Sequence, residues 1–152
     1  MNMPVILTEQ PFEPWNILGN YESGLDLSLC GAASVFSGRM RTENQGQAIR
    51  EMWLEHYPGM TSTYLNRIIQ EAALRFSILD GLIVHRVCRI IPTEAIVLVA
   101  CWAIHRQNAI MATRTLLERL KHEAPFWKQE TLIDGEKRWV TGNTPLTRSA
   151  NQ

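Results

Sequence analysis

The residues whose types and spacing are best suited to chemistry are Lys121 and Lys128, in the stretch Leu120-Lys-His-Glu-Ala-Pro-Phe-Trp-Lys-Gln-Glu130. Between them, Pro125 disfavours helical geometry in the residue before it, so a helix ends near Ala124 and a strand begins at Phe126. A reversal there lets both amines enter one cleft. Clustered cations disfavour one another's charge, which lowers a lysine pKa until it can transfer protons near neutral pH. On a plainer reading, Lys121 complements the helix dipole and Lys128 is a solvated strand lysine. Further positive charge stands at His105-Arg106, where an apolar run gives way to a helix whose first backbone N–H groups attract phosphate. The alternative is that this pair merely sits at an exposed strand end. Taken as one group, these cations point to an anionic substrate.

Any such anion site is local. Lys plus Arg and Asp plus Glu both number 15, so no global basic field exists to concentrate a nucleic acid or an anionic membrane. Phe126-Trp127 lacks the interleaved basic residues of a nucleic-acid stacking platform and reads as core or interface packing. Cys30, Cys88 and Cys101 are odd in number, widely spaced and set among apolar residues, which argues against a disulfide framework and fits a reducing cytoplasm. His56, His85 and His122 have no metal-like spacing and read as structural or surface groups; neither a metal nor a cofactor is expected. The glycine-bounded segment from Gly38 to Gly46, with Arg39 and Arg41, has the wrong spacing for a dinucleotide fingerprint or a P-loop and reads as an exposed loop. With no Gly-x-Ser-x-Gly elbow and no cysteine among cations, a substrate must bring the nucleophile if the protein is an enzyme. The amino terminus has no signal-peptide pattern and no run reaches the roughly 18 apolar residues of a membrane span, so a soluble, unprocessed protein is expected.

The elements that position these residues follow from periodicity. A chain of 152 residues with 45% hydrophobic content predicts one domain over residues 1–152, with a polar tail from about 142. The first two dozen residues read as a short strand and a loop. The alternation Leu25, Leu27, Leu29 leads into a strand ending at Gly38, and Met52–Tyr57 forms another. Thr61 is a fitting cap for a helix carrying Leu65, Ile68, Ile69, Ala72 and Phe76 at helical spacing. Leu82–Ile91 reads as a strand and Ala95–Ile104 as a central strand buried on both faces. A helix over His105–Glu123 buries Ala109, Ala112, Leu116 and Leu120. Phe126–Leu132 and Lys137–Val140 flank the hairpin signal Asp134-Gly135. Strands with a few helices give the α+β class.

Five stretches together carry a resemblance: Phe36-Ser-Gly-Arg-Met-Arg41-Thr-Glu-Asn-Gln-Gly46, Leu54-Glu-His-Tyr-Pro-Gly-Met-Thr61, His85-Arg86, His105-Arg106 and Lys121-His-Glu-Ala-Pro-Phe-Trp-Lys128-Gln-Glu130. In order and spacing they resemble the catalytic large subunit of molybdopterin synthase, from about Gly31 to Val140. The resemblance implies an α/β-hammerhead fold with an additional small antiparallel sheet. It further implies a homodimer at the centre of a heterotetramer, with a small ubiquitin-like sulfur-carrier subunit at each end. In that family the carrier's thiocarboxylated Gly-Gly tail delivers sulfur to cyclic pyranopterin monophosphate, and two transfers make the molybdopterin dithiolene of the molybdenum cofactor. Carried over by position, Lys121 and Lys128 are the catalytic lysines. Arg41, His105 and Arg106 contact the pterin, and Glu130 belongs to the same pocket. Of these, Lys121 is expected closest to the chemistry.

The sequence departs from the family pattern at Cys88, at Pro92-Thr93-Glu94 and at Gln107-Asn108, which are tolerable, and more seriously near Asn143. Cys88 stands where glycine is usual. Near Asn143 an arginine is missing that in the family reaches the neighbouring protomer's pocket, which leaves Arg138 or Arg148 to take its place. A noncatalytic relative that binds the carrier or a pterin is therefore the alternative to a sulfurtransferase, since fold and family do not fix activity.

Overall fold

The structure is a computed structural model and describes residues 3–140; Asn143 and Arg148 lie outside them. In chain order the elements are β1 (Val5–Thr8), α1 (Pro14–Glu22), β2 (Ala32–Arg39), β3 (Glu43–Asn44), β4 (Gln47–His56) and α2 (Pro58–Phe76). There follow β5 (Asp80–Arg86), β6 (Cys88–Ile90), β7 (Ala95–Ala103), α3 (Arg106–His122), β8 (Phe126–Leu132) and β9 (Lys137–Val140). The α+β class and its second, antiparallel sheet match the expectation. Among the described residues no helix is long and apolar enough to cross a membrane.

One sheet has the order β1-β5-β7-β2, with β1 parallel to β5 and the remaining pairs antiparallel. All seven residues of β5 are buried, and so are eight of the nine in β7, all but Ile96. Helices cover both faces, which is why these strands read as continuous apolar runs rather than as alternations. On one face Leu65, Ile68, Ile69, Ala112, Leu116 and Leu120 of α2 and α3 pack on Ile83, Val97, Val99 and Cys101. On the other, Ile17, Leu18 and Tyr21 of α1 pack on Leu82, Val84, Leu98 and Trp102.

The second sheet has the order β3-β4-β8-β9, with β6 also on β4. Residues directly opposite in an antiparallel ladder share a face. Phe126 pairs with His56, Lys128 with Leu54 and Glu130 with Met52. Lys128 and Glu130 therefore sit on the face that carries Met52 and Leu54 into a second core with Met40, Ile49, Val87, Ile90 and Leu132. Leu7, Ile96 and Phe126 pack against both this core and the helix-covered one, joining the sheets. At that junction the Phe126 ring stacks on His85, centroids 4.3 Å apart and 19° from parallel.

Tertiary contacts redraw several elements. Pro14–Glu22 is helical rather than a loop: Pro14 opens it, where a missing N–H costs nothing, and its apolar residues gain their partners only from β5 and β7. Leu25, Leu27 and Leu29 form turns, not a strand, and Leu27 and Leu29 are exposed. Thr61 does not cap α2. Pro58 starts that helix after Tyr57, leaving Thr61 buried inside the first turn with its N–H bonded to the Tyr57 carbonyl at 2.8 Å. The Gly38–Gly46 segment is ordered: β2 continues to Arg39, and β3 pairs with β4 through a turn at Gln45 and Gly46, both at positive φ. The strand expected over Leu82–Ile91 splits at Val87, where Cys88 adopts φ 65° and hands the chain from the first sheet to the second.

Candidate active site

Lys121 occupies the last turn of α3 and is exposed. Its ammonium lies 6.0 Å from the centroid of Phe36 on β2. The helix end is braced against α2: the Tyr64 hydroxyl donates to Glu123 at 2.6 Å, while Arg119 donates to Glu123 at 3.1 Å and also to Glu71. Lys128, on β8, is partly withdrawn from water on the inner face of the second sheet. Burial and then the charge of Lys121 lower its pKa, and Glu130 opposes them. The reversal at Pro125 thus brings the two lysines within electrostatic reach of each other.

Glu130 is buried, and its Oε1 is engaged. The Asn44 amide donates to it at 3.0 Å, and the Arg138 guanidinium stands 3.5 Å away. Arg138 also donates to Gln47 at 2.5 Å and to the Asn44 carbonyl at 3.1 Å. Three strands, β3, β8 and β9, converge on this carboxylate, and Arg138 is held within its own chain. Arg41 is exposed on the segment between β2 and β3, beside Thr42, whose carbonyl receives the Ile49 N–H at 2.9 Å.

His105 and Arg106 lie elsewhere. Since α3 has 17 residues, a rise of 1.5 Å per residue puts Arg106 roughly 22 Å from Lys121 along the helix. Both residues are exposed and line a recess of about 430 Å³ with Gly31, Ile104 and Gln107. His105 is the N-cap in extended conformation, and no side chain caps the helix, so its first N–H groups are left without a side-chain partner. The recess depends on Gly31: a Cβ there would lie 2.1 Å from the Ile104 carbonyl oxygen. The cations expected in one site are therefore split between two ends of one helix.

Some residues around the lysines were not singled out from sequence. Phe36 lies beside Lys121, Asn44 holds Glu130, and His85 is buried, the structural of its two expected readings. Burial lowers the His85 pKa to about 4; its bond to the Arg86 carbonyl opposes this, and the Lys128 and His56 charges add to it. Its signal in the sequence is a histidine inside the apolar run Leu82-Ile-Val-His, an expensive position for a polar ring. A second recess, of about 410 Å³, is lined by Glu55, His56, Tyr57, Trp127 and Trp139. Neither lysine lines either recess.

Neither Cys88 nor Cys101 is poised to attack. Burial pushes Cys101 up to about 11, and burial with a bond to Glu9 does the same to Cys88. Among the described residues no group of three or more His, Cys, Asp or Glu side chains is placed to hold a metal ion. Fold and site thus define a class: an α+β protein that sets an exposed lysine at a helix end beside a partly buried strand lysine and a buried carboxylate.

The model of the MoaE protein family matches residues 7–123, and the chain belongs to that family. It is 45% identical over 138 residues to the molybdopterin synthase catalytic subunit of Caulobacter vibrioides, covering 91% of this chain and 89% of that one. With the Ralstonia nicotianae protein of the same name it shares 44% identity over 110 residues, 72% of this chain and 62% of that one. Among solved structures it resembles the molybdopterin biosynthesis MoaE protein of Burkholderia ambifaria, with TM-score 0.76 and 36% identity over 94% of this chain and 92% of that one. The molybdopterin synthase of Staphylococcus aureus matches with TM-score 0.78 and 25% identity over 93% and 98%. A Helicobacter pylori chain, solved as a complex of subunits 1 and 2 of molybdopterin-converting factor, shares the fold at TM-score 0.76 and 19% identity over 96% and 97%.

Proposed function

We propose that this chain is the catalytic subunit of a molybdopterin synthase. It takes sulfur from the thiocarboxylated Gly-Gly tail of a small carrier subunit and places it on cyclic pyranopterin monophosphate, twice, to form the dithiolene. Each transfer makes a carbon–sulfur bond on the precursor and, with water, leaves the carrier tail as a carboxylate. Because the carrier supplies the sulfur, the chain needs placed cations and a proton-transfer group rather than a thiol of its own. The observation that carries this reading is the Lys121–Lys128 pair, with Lys128 set beside Glu130 on the inner face of β8 and its charge disfavoured by burial.

In this reading Lys128 moves the proton, Lys121 holds negative charge at the exposed end of α3, and Glu130 keeps Lys128 in place. Arg41, His105 and Arg106 bind the pterin and its phosphate. Since His105 and Arg106 stand at the far end of α3, they act on the lysines of a second copy, which supports a homodimer at the centre of a heterotetramer with a carrier at each end. Three unpaired cysteines support a cytoplasmic location. The test is to mix the purified chain with thiocarboxylated carrier and precursor and follow the dithiolene product. Binding of both without product would favour a noncatalytic relative, a reading supported by the commitment of Arg138 to Glu130 and Asn44.

A further inference from the structure

β2 closes one edge of the first sheet: it pairs with β7 on one side and with no strand among the described residues on the other. None of its eight residues is buried, and neither proline nor charge interrupts it before Arg39. Natural edge strands are blunted by proline, lysine or shortness, because their unpaired N–H and C=O groups invite another strand. The other short strands at sheet edges, β1, β3, β6 and β9, have four, two, three and four residues. Helix α3 runs beside the open edge in the same direction as β2, since Gly31 meets Ile104 at one end and Phe36 meets Lys121 further along. One flank of α3 faces α2, where Asn108 donates to the Phe76 carbonyl at 2.8 Å and Arg119 reaches Glu71. The other flank faces β2, where Thr113 donates to the Ser34 carbonyl at 3.2 Å and Lys121 lies over Phe36. With about 3.6 residues per turn, Arg106, Ile110, Thr113, Leu117 and Lys121 all fall on this second flank. Ile110 is 56% exposed there, and Leu117 is half-buried.

We propose that a second copy of the chain covers this flank: the two β2 edges pair antiparallel about a two-fold axis near Ser34, and the two α3 helices pack antiparallel above them. Thr113 sets the position of the axis, because it lies midway between Arg106 and Lys121 along the helix and is tied to Ser34. A two-fold axis perpendicular to the sheet keeps both helices on one face and reverses one against the other. Since α3 packs on both β7 and β2, strands about 4.8 Å apart put the two helix axes roughly 10 Å apart, near the usual packing distance of about 8–10 Å. Ile110 then meets the partner's Leu117, and Leu117 meets the partner's Ile110, the reciprocal contact a two-fold interface requires. At each end of the stripe the partner's Arg106 arrives beside Lys121, with Phe36 beneath. The apolar middle joins the copies, and the like charges gathered at each end are reconciled by an anion held between them. Neither end is complete in one chain. That this anion is the precursor rests on the sulfur-transfer reading, whereas the interface stands without it.

Cysteine cross-linking of the full chain tests the pairing. Within one helix, positions 110 and 117 are roughly 10 Å apart, too far for a disulfide, whose Cα atoms lie about 4.4–6.8 Å apart. A variant carrying both Ile110→Cys and Leu117→Cys is therefore expected to oxidise to a covalent dimer linked 110 to 117, identified by peptide mass spectrometry. Leu74→Cys, at a position on α2 that is 85% exposed, should give only traces of dimer. In sedimentation, the wild-type chain is expected to be a dimer. Ile110→Asp should weaken dimerisation roughly thirtyfold or more, the loss of one interface hot spot, and Ala33→Lys should weaken it by charging the strand edge. Leu74→Asp should leave it unchanged. A monomeric wild type overturns the proposal, as does a dimer indifferent to Ile110→Asp or one whose cysteine pair stays unlinked under oxidation. Should Ile110→Asp fail to fold, the cysteine pair decides alone. Dithiolene formed by a dimer that does not cross-link defeats this interface and leaves sulfur transfer standing. A cross-linked dimer that binds neither carrier nor precursor defeats sulfur transfer and leaves the interface standing.

Discussion

Arg106 and Lys121 stand at opposite ends of α3, roughly 22 Å apart along its axis at 1.5 Å per residue. No side chain spans that distance, so in the proposed reading a substrate held by both lies between two copies of the chain.

Complementation tests this arrangement. Arg106→Ala and Lys121→Ala are each expected to be inactive alone. Mixed and allowed to exchange, they form heterodimers in which one of the two shared sites has every cation. Activity should return to about a quarter of wild type, the statistical share of intact sites in a closed two-fold dimer. No recovery in a sample shown to exchange protomers would place the complete site within one chain.

The two lysines are expected to respond differently to a permanent charge. Arginine keeps the charge but stays protonated at any working pH. Lys128→Arg and Lys128→Ala should each lose roughly a hundredfold to ten-thousandfold in single turnover, the range for proton-transfer groups. Lys121→Arg should keep most of the rate that Lys121→Ala loses. The opposite pattern would move proton transfer to Lys121.

Lys128, partly withdrawn from water, should also cost stability. Its folded pKa lies below the unfolded one, so the unfolded chain binds the extra proton and stability falls as pH drops from the unfolded value through the folded one. At neutral pH, Lys128→Met is expected to raise the urea midpoint while abolishing turnover. A lowered midpoint would show that the amine contributes to the fold.

His85 carries its own pH signature. With a folded pKa of about 4 against an ordinary 6.5, the unfolded state gains its proton first as pH falls. Stability is therefore unaffected above about 6.5 and is lost between there and about 4, by at most roughly 3 kcal/mol from this residue. Urea titrations at pH 7 and pH 4.5 should show a smaller drop in His85→Gln than in wild type. Equal drops would mean that the ring takes up its proton while folded.

Cys88 holds φ 65°, a left-handed conformation that costs a residue with a Cβ about 1–3 kcal/mol. Cys88→Gly relieves that strain but loses a thiol contact to Glu9 at 3.2 Å; the expected result is an unchanged or higher melting temperature. Cys88→Val, β-branched, should melt clearly lower. If Val is tolerated as well as Gly, the turn between β5 and β6 is not under strain.

Much of this protein was legible in its residues one segment at a time. Pro125 ended a helix and set two lysines on either side of a reversal, because proline excludes helical geometry just before it. The apolar run Ala95–Ala103 became a strand buried between helical layers, and Asp134-Gly135 became a hairpin. These outcomes depend on local sterics and on period, which a sequence carries in full.

What only the tertiary structure decided depends on partners distant in the chain. Pro14–Glu22 is a helix because β5 and β7 receive its apolar side chains, and too few of these lie in the helix itself to give a period. Thr61 reads as a cap, but Pro58 starts the helix one turn earlier and leaves that hydroxyl buried. Glu130 is held by Asn44 and Arg138 across three strands, so its pairing follows from sheet register and not from spacing. His85 reads as an ordinary histidine until Phe126, from the other sheet, closes over its ring. The five cations of the expected site form a single list in the sequence, yet a rigid helix separates two of them from the lysines. Helix length fixes that separation, which no reading of spacing along the chain reveals.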